Sequence, residues 1–395
     1  VTATFSSTLG ATIQGLTVGL GGGAVATNTA VGASALAGSN TGINNTAIGS
    51  SALVSNTSGN RNVAVGSSAL FANTTGVENT AVGHDVASSN TSGSYNVVVG
   101  RSALATNTSG SYNTAIGMSA LALNTTASYN TAVGYNSLRV NTTGTENTSM
   151  GQGTMSGNTT GSYNAAYSNG ALGNNTTGSN NTALGYFALV NNTTASYNTA
   201  VGYQAGYLVT GGANLCIGAS SGAVLTTGAN NIHLGNTSAS STGASQEIVL
   251  GATNGSSVVG KGSNTGFIYA GAGGVYQGNN SASWSTTSDR RLKKNIVDNT
   301  VGLYAITSIR VCNFEYRLPE EVDAELKPTD AIDKSGVQLG VIAQELQQVL
   351  PECVKTESTG VMSVDTDNLT WYMINAIKEL NAKVQALETQ LNQGA

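Results

Sequence analysis

The chain has 395 residues, with 51 glycines, 3 prolines and only 9% charged residues, which is not the mixture of an ordinary globular protein. The net charge is −5 and no basic cluster precedes Ser288, so the composition favours neither a nucleic-acid partner nor membrane insertion. Cys216, Cys312 and Cys353 are far apart and have no metal-ligand spacing, which predicts free, mostly buried thiols. We expect neither a metal site nor a cofactor.

Residues 1–27 precede the first repeat and are expected to form an N-terminal shaft segment. They lack the basic start and long apolar run of a signal peptide or membrane span. The chain begins with Val1 rather than Met, which indicates truncation or processing at this end.

A repeat with a period of 17 residues fills the segment 28–237. Each unit contains a short β-branched phrase, a small-residue step to one leucine and an Asn-Thr-Thr-like turn, which predicts two strands and a turn. The apolar spacing and the glycines oppose a helix. The phrase opens, with one step of 16 before Asn214, at Asn28, Asn45, Asn62, Asn79, Asn96, Asn113, Asn130, Asn147, Asn164, Asn181, Asn198, Asn214 and Asn231.

One unit has too little apolar area to fold alone, but stacked coils pair their strands at about 4.8 Å per coil. The predicted fold is therefore mostly β, a β-roll or β-solenoid shaft roughly 60 Å long with ladders of identical Asn and Thr side chains. Each chain either forms its own roll or interweaves with two others. Threefold packing would account for an inner surface rich in Ala and Gly.

Several isolated side chains of the shaft have two interpretations. A tyrosine directly precedes the repeat phrase in five units, at Tyr95, Tyr112, Tyr129, Tyr163 and Tyr197. Such a column either contacts sugars or, more often, packs across a subunit edge. The isolated histidines His84 and His233 are expected to pack rather than bind metal.

The strict period ends before the segment 238–287, where Gly/Ser turns separate short apolar runs. A small β-rich knob or neck fits this pattern and is a possible place for a receptor or polysaccharide to bind. The shaft and this segment contain only four acidic residues without a usable pairing, which argues against a glycosidase site.

From residue 288 to residue 395 the composition becomes that of a small α/β or α+β domain. It opens with SDRRLKKNI at 288–296, continues with QLGVIAQEL at 338–346, and has a third phrase at 364–369. These phrases resemble the self-cleaving intramolecular chaperone domains of endosialidase tail spikes, other phage fibres and certain membrane-bound transcription factors. In the third phrase, Thr366 and Asp367 depart from the family pattern.

The shaft phrase N-T-A-[IV]-G-x-x-A-L resembles the head repeats of trimeric autotransporter adhesins and related phage fibres. That resemblance implies parallel β-rolls packed as trimers, although the Asn-Thr-Thr turn makes the present coils longer.

The chaperone resemblance implies a Ser/Lys pair, with Ser288 as nucleophile and Lys293 as base. A lysine serves as base when burial or nearby cations lower its pKa. The bond cut adjoins Ser288, and the resemblance favours Ser288–Asp289. The supporting residues it implies are Asp289, Arg291, Asn295, Gln344 and Glu345. Local sequence alone also allows a basic helix start capped by Ser288.

The last predicted helix, 368–393, carries a heptad seam. Its pattern of β-branched residues and leucines by itself favours a two-stranded coiled coil, whereas the family resemblance implies a trimer. The predicted trimerisation residues are Met373, Ile377, Leu380, Val384, Leu387 and Leu391.

Together, the resemblances imply a homotrimeric phage tail fibre that is assembled in the host cytoplasm and located in the virion tail. Its expected partners are a host-surface receptor, either a polysaccharide or an outer-surface protein, and other tail proteins bound through sequence before Val1. The expected enzyme activity is one self-cleavage without multiple turnover.

Three other classes of protein were weighed. A bacterial trimeric surface adhesin requires C-terminal membrane strands, and a glycan-degrading tail spike requires an active site upstream of Val1. A membrane-anchored transcription-factor precursor requires a DNA-binding module, and the sequence has none.

Overall fold

The computed structural model describes residues 11–13, 16–238, 241–251, 258–269, 274–277, 285–286, 288–322, 332, 334–357 and 360–393. The chain divides into two compact units, Val1–Ser288 and Asp289–Ala395. In the described residues, the first unit consists of short strands joined by turns, and the second combines helices with short strands.

The first unit is a stack of coils, and each coil contributes one three-residue strand to a parallel sheet. An antiparallel pair, β1 (Ala11–Ile13) and β2 (Leu16–Gly19), precedes the coils. Neighbouring coil strands pair in register, so Thr114 lies opposite Thr131. The coil strands are β3 (Thr29–Val31), β4 (Thr46–Ile48), β5 (Val63–Val65), β6 (Thr80–Val82), β7 (Val97–Val99), β8 (Thr114–Ile116), β9 (Thr131–Val133), β10 (Thr148–Met150), β11 (Ala165–Tyr167), β12 (Thr182–Leu184), β13 (Thr199–Val201), β14 (Leu215–Ile217) and β15 (Ile232–Leu234).

The parallel ladder continues into the segment expected to form a knob or neck. The strand β15 pairs with β17, and β17 pairs with β19, both in parallel. Antiparallel pairs then join β19 to β20 and β20 to β21. The strands of this segment are β16 (Thr237–Ser238), β17 (Ile248–Gly251), β18 (Val258–Val259), β19 (Gly266–Tyr269), β20 (Gly274–Gln277) and β21 (Ser285–Thr286).

Each chain forms its own roll. The alanines expected at a threefold contact lie inside this roll, where Ala115, Ala120 and Leu121 are fully buried. Threefold packing is therefore not needed to account for the Ala-rich inner surface. Stacking successive coils of one chain buries these small side chains without any partner.

The prediction of two strands per unit is wrong, because each coil has a single strand. The step to the leucine is a turn in which Ser119 has φ 57° and Leu121 has φ 51°. A left-handed residue costs about 1–2 kcal/mol. Complete burial of a leucine contributes about 1.5–3 kcal/mol, which offsets that cost. The repeat period locates the leucine but does not reveal the sign of its φ.

Two ladders of buried asparagines run along the stack, as predicted. In the strand-start ladder, Asn113 donates from its backbone N and its Nδ2 to Asn96 Oδ1, at 2.9 and 3.1 Å. In the turn ladder, Asn107 Nδ2 donates to Asn90 Oδ1 at 2.7 Å and to Gly110 O at 2.9 Å. The amide group fits both ladders because it carries donors and an acceptor.

Both ladders end where the repeat changes. Val209 stands 17 residues after Asn192, and Asn192 Oδ1 is buried without a hydrogen-bond partner. At the end of the strand-start ladder, Glu247 takes the place of asparagine and donates from its backbone N to Asn231 Oδ1 at 2.9 Å. The buried Glu247 carboxylate accepts a hydrogen bond from Gly262 N at 2.8 Å.

The second unit is an α+β domain, within the fold class predicted. Its core contains Ala305, Leu346, Leu350, Cys353 and Tyr372. The elements are α1 (Leu303–Ser308), β22 (Cys312–Phe314), β23 (Gln338–Gly340), α2 (Ala343–Val349), β24 (Val354–Thr356), β25 (Met362–Val364) and α3 (Thr366–Gln393), with 3₁₀ turns at Arg290–Leu292, Pro319–Glu321 and Pro351–Cys353. The strands form two antiparallel pairs, β22 with β23 and β24 with β25.

Within the residues described, no helix has the length and apolar character needed to cross a membrane. The same residues contain no group of three His, Cys, Asp or Glu side chains able to hold a metal ion.

Candidate active site

The opening phrase of the second unit forms one 3₁₀ turn, Arg290–Leu292, capped by Asp289. Asp289 Oδ1 accepts a hydrogen bond from Arg291 N at 2.8 Å, and Arg291 Nη2 lies 2.5 Å from Asp289 Oδ2. The hydrogen bonds from the Arg291 side chain hold the pKa of Asp289 below its ordinary value. The alternative of a helix capped by Ser288 is wrong, because the cap is Asp289 and the helix is a single turn.

The two predicted catalytic residues lie in different units. Ser288 is exposed and is the last residue of the first unit. Lys293 is exposed in the second unit and ends the 3₁₀ turn through a backbone hydrogen bond from its N to Arg290 O at 3.1 Å. Their pairing stays a prediction. Asn295 follows in a left-handed conformation, φ 53°, which asparagine adopts more readily than most residues.

Large apolar side chains around this turn are exposed to solvent. Leu292 is 75% exposed, Ile296 54% and Val297 86%. Exposed apolar side chains this close together in sequence can form part of a surface that another protein chain covers.

The second sequence phrase spans β23 and the first four residues of α2, Ala343–Leu346. Leu346 of this helix is buried in the core, and Gln344 is exposed. Glu345 Oε1 lies 2.8 Å from Arg310 Nη1, which joins α2 to the chain just before β22. In this arrangement Glu345 pairs with an arginine outside the opening phrase.

Several contacts that the sequence did not indicate hold α3 to the rest of its unit. Tyr372 donates a short hydrogen bond to Glu352, which lowers the pKa of the Glu352 carboxyl and raises that of Tyr372. Glu379 Oε2 accepts from Leu303 N at 3.1 Å, and Asn375 Nδ2 donates to Asn299 O at 2.9 Å. These pairs are distant in sequence, and no local motif marks them.

The predicted last helix is present and begins two residues earlier, at Thr366. Tyr372 and Ala376 are its buried residues. The heptad seam is exposed, so a partner helix can pack on it: Met373 is 46% exposed, Ile377 66%, Leu380 50%, Val384 43%, Leu387 59% and Leu391 73%.

A parallel β-solenoid and a separate α+β unit ending in a long helix together fit a tail-spike-type protein with a C-terminal chaperone domain. Residues 288–355 match the family model described as chaperone of endosialidase. The matched region begins at Ser288, includes α2 and ends before α3. The expected similarity of this region to the chaperone family is therefore confirmed.

Proposed function

We propose that this chain is the distal part of a homotrimeric phage tail fibre whose C-terminal unit drives trimerisation and is then released by self-cleavage next to Ser288. The observation that carries the proposal is the coincidence of two boundaries with the predicted bond. The family match begins at Ser288, and the two compact units divide between Ser288 and Asp289. Cutting there separates the units without breaking either.

The exposed apolar surfaces of the second unit support trimerisation. The seam of α3 and the group Leu292, Ile296 and Val297 face solvent in a single chain. Packing three chains along these surfaces removes apolar area from water. The trimer formed by this unit aligns the ends of three shafts.

Assembly also supplies what the cleavage chemistry needs. A lysine accepts a proton only when it is neutral, and burial or nearby cations favour that form. In one chain Lys293 is exposed and the charge of Arg291 is compensated by Asp289. Burial of the turn by neighbouring chains would favour the neutral base, so cleavage follows assembly.

The reaction is an acyl transfer to Ser288. Lys293 Nζ takes the hydroxyl proton, Oγ attacks a carbonyl carbon, and the C–N bond breaks as the leaving amine receives a proton from the lysine. Water then hydrolyses the ester and restores the hydroxyl group. Attack of Ser288 Oγ on the carbonyl carbon of Ser288 itself requires a strained four-membered ring. Attack by Ser288 of a neighbouring chain on the Ser288–Asp289 bond does not require that strain.

Denaturing gels of the wild-type protein, Ser288→Ala and Lys293→Ala test the cleavage. We expect fragments 1–288 and 289–395 from the wild type and one intact band from both variants. Lys294→Arg is the matched control, since it removes the adjacent amine, keeps the positive charge beside Lys293 and should still be cut. An intact band from folded wild-type protein would refute self-cleavage, and loss of cleavage in the control would refute the assignment of the base.

The N-terminal residue of the small fragment identifies the bond. Asp289 at that end indicates attack on the Ser288 carbonyl, and Ser288 there indicates attack on the preceding one. Mass spectrometry of the fragment distinguishes the two, because the masses differ by one serine residue.

We propose the shaft as the part that binds the host surface, with a polysaccharide or an outer-surface protein as the receptor. The stacked tyrosines support this role. The rings of Tyr95 and Tyr112 are 4.8 Å apart and those of Tyr112 and Tyr129 5.0 Å apart, and all three are exposed. Binding of the full-length Ser288→Ala protein to host cells tests adhesion, and absence of binding would refute it.

A further inference from the structure

The surface of the coil stack has a notch of about 390 Å³, lined by residues of the three successive coils that begin at Asn130, Asn147 and Asn164. The side chains become small along two columns of positions 17 residues apart. One column changes from Arg139 to Ser156 to Gly173, and the other from Val140 to Gly157 to Asn174. The notch therefore combines the small residues Ser156 and Gly173 with the larger side chains of Arg139 and Val140 on the preceding coil; small residues such as Ala105 and Ala122 also occupy the Arg139 position elsewhere in the shaft.

The floor of the notch is open backbone. A Cβ atom added to Gly153 would meet nothing within 4 Å. At Gly170, one coil further on, it would lie 2.2 Å from the ring of Phe187, which covers that glycine. The repeat thus has two glycines at equivalent positions, and only Gly153 opens onto the notch.

The polar groups that line the notch are an arginine, several amides and a hydroxyl. Arg139 is one of only four basic side chains in residues 1–287. It is exposed and makes no ion pair with any residue of the described ranges. Asn136, Gln152, Asn174 and Ser156 line the rest together with Tyr135, whose side chain is 45% exposed.

The backbone of the coil that contains Gly173 and Asn174 also departs from the repeat. Ser168 occupies the position that holds glycine in the neighbouring coils and has φ 96°, where Gly151 has 136° and Gly185 has 139°. Thr154 Oγ1 donates to Ser168 O at 2.6 Å. Strained residues of this kind cluster at functional sites. This departure is independent of the side chains that form the notch.

We propose that the notch binds one residue of an acidic saccharide, a pyranose ring that carries a carboxylate. The guanidinium of Arg139 matches a carboxylate by two parallel hydrogen bonds. The amides of Gln152 and Asn174 can donate to and accept from sugar hydroxyls, and the ring of Tyr135 offers an apolar face. The inference rests on the proposed adhesive role and specifies its ligand.

Titration calorimetry with the full-length Ser288→Ala protein tests the inference. The probes are trisaccharides of galacturonate, glucuronate and mannuronate, each beside its neutral, carboxyl-reduced counterpart. We expect at least one acidic probe to bind and its neutral counterpart to bind at least tenfold more weakly. Arg139→Gln should weaken binding at least tenfold, since it removes the charged donor of two hydrogen bonds to the carboxylate.

Each variant has a matched control elsewhere in the shaft. Arg101→Gln removes another exposed arginine outside the notch and should bind as the wild type does. Ser156→Val fills the notch, whereas Ser88→Val alters the equivalent position of another coil. The two serines make matching contacts, Ser156 Oγ to Gly173 O at 3.5 Å and Ser88 Oγ to Ala105 O at 3.4 Å. Only Ser156→Val should lose binding.

Several outcomes would overturn the proposal. No binding of any acidic probe by folded protein refutes it, as does an equal loss in both arginine variants, which indicates diffuse charge attraction. Competition by polyglutamate as strong as that by the acidic saccharide refutes the ligand class. Host-cell binding by the same variants distinguishes the adhesive role of the shaft from saccharide binding in the notch. If the wild type and Arg139→Gln bind cells equally well, the adhesive role is supported and binding through the notch is refuted.

Discussion

The buried turn ladder makes a quantitative prediction for Asn107→Ala. The substitution removes the donors to Asn90 Oδ1 and Gly110 O, at 2.7 and 2.9 Å, and the acceptor of Asn124 Nδ2, at 2.8 Å. Asn124 keeps its bond to Ala127 O, and Gly110 O keeps its bond from Asn96 Nδ2 at 3.0 Å, so one buried acceptor, Asn90 Oδ1, loses its partner. At about 1–3 kcal/mol for an unsatisfied buried group, we expect a loss of about 1–3 kcal/mol in unfolding free energy.

Urea denaturation of the full-length protein followed by circular dichroism measures this loss. Thr108→Ala is the control, because the adjacent Thr108 Oγ1 donates to Thr125 O at 3.0 Å on the exposed side of the same turn. Water replaces that bond, so the control should change stability by about 0.5 kcal/mol or less. Hydrogen exchange should localise the loss to neighbouring coils, since coils stabilise one another pairwise. Equal effects of the two substitutions would refute a stabilising role for the buried ladder.

Three further predictions concern the tyrosine column, a buried histidine and the helix seam. Tyr163 is exposed with φ 60°, so Tyr163→Asn should raise the unfolding free energy by about 1 kcal/mol. Tyr112→Asn should raise it less, because the substitution removes two stacking contacts between rings. Thermal unfolding of the two variants measures the difference. Burial lowers the pKa of His233 although Glu247 opposes the shift, so the folded state binds its proton less readily than the unfolded state. Stability is then greatest above about pH 6.5 and falls as the pH decreases, and His233→Ala should flatten this dependence in unfolding midpoints measured from pH 7.5 to 5. Leu380→Asn should prevent trimer formation, whereas the control Lys383→Gln, at an exposed position, should not. Light scattering measures the oligomeric state, and a trimeric Leu380→Asn variant would contradict the seam assignment.

The sequence predicted the coil period, the asparagine ladders and the last helix, because each leaves a repeated local pattern. It did not predict the left-handed turn before Leu121, since spacing carries no information on the sign of φ. The pair of Arg310 and Glu345 was also missed as a contact, because 35 residues separate its members.

The candidate sites differ in how far sequence could reach. The motif at 288–296 indicated Ser288 and Lys293 as residue types, but local sequence could not show that Asp289 caps the turn. Prediction of the notch would have required knowledge of how the coils stack. Alignment at the 17-residue period would reveal Gly157 and Gly173, yet only the structure shows that they face the same depression.

Formation of a roll by each chain changes the reason for a C-terminal chaperone. Strand pairing needs no partner chain, but a slip by one whole coil preserves most of the ladder contacts, because the repeat offers many equivalent registers. Residues that break the repeat distinguish one register from another: Val209 ends the turn ladder and Glu247 ends the strand-start ladder. A slip would align asparagines with these residues and leave buried amides unpaired. Register within a chain is thus specified near the C-terminal end of the coil stack, which precedes in sequence the unit proposed to align the three chains. A trimer assembled there would place the same coils of each shaft side by side before the distant, nearly identical coils could mispair.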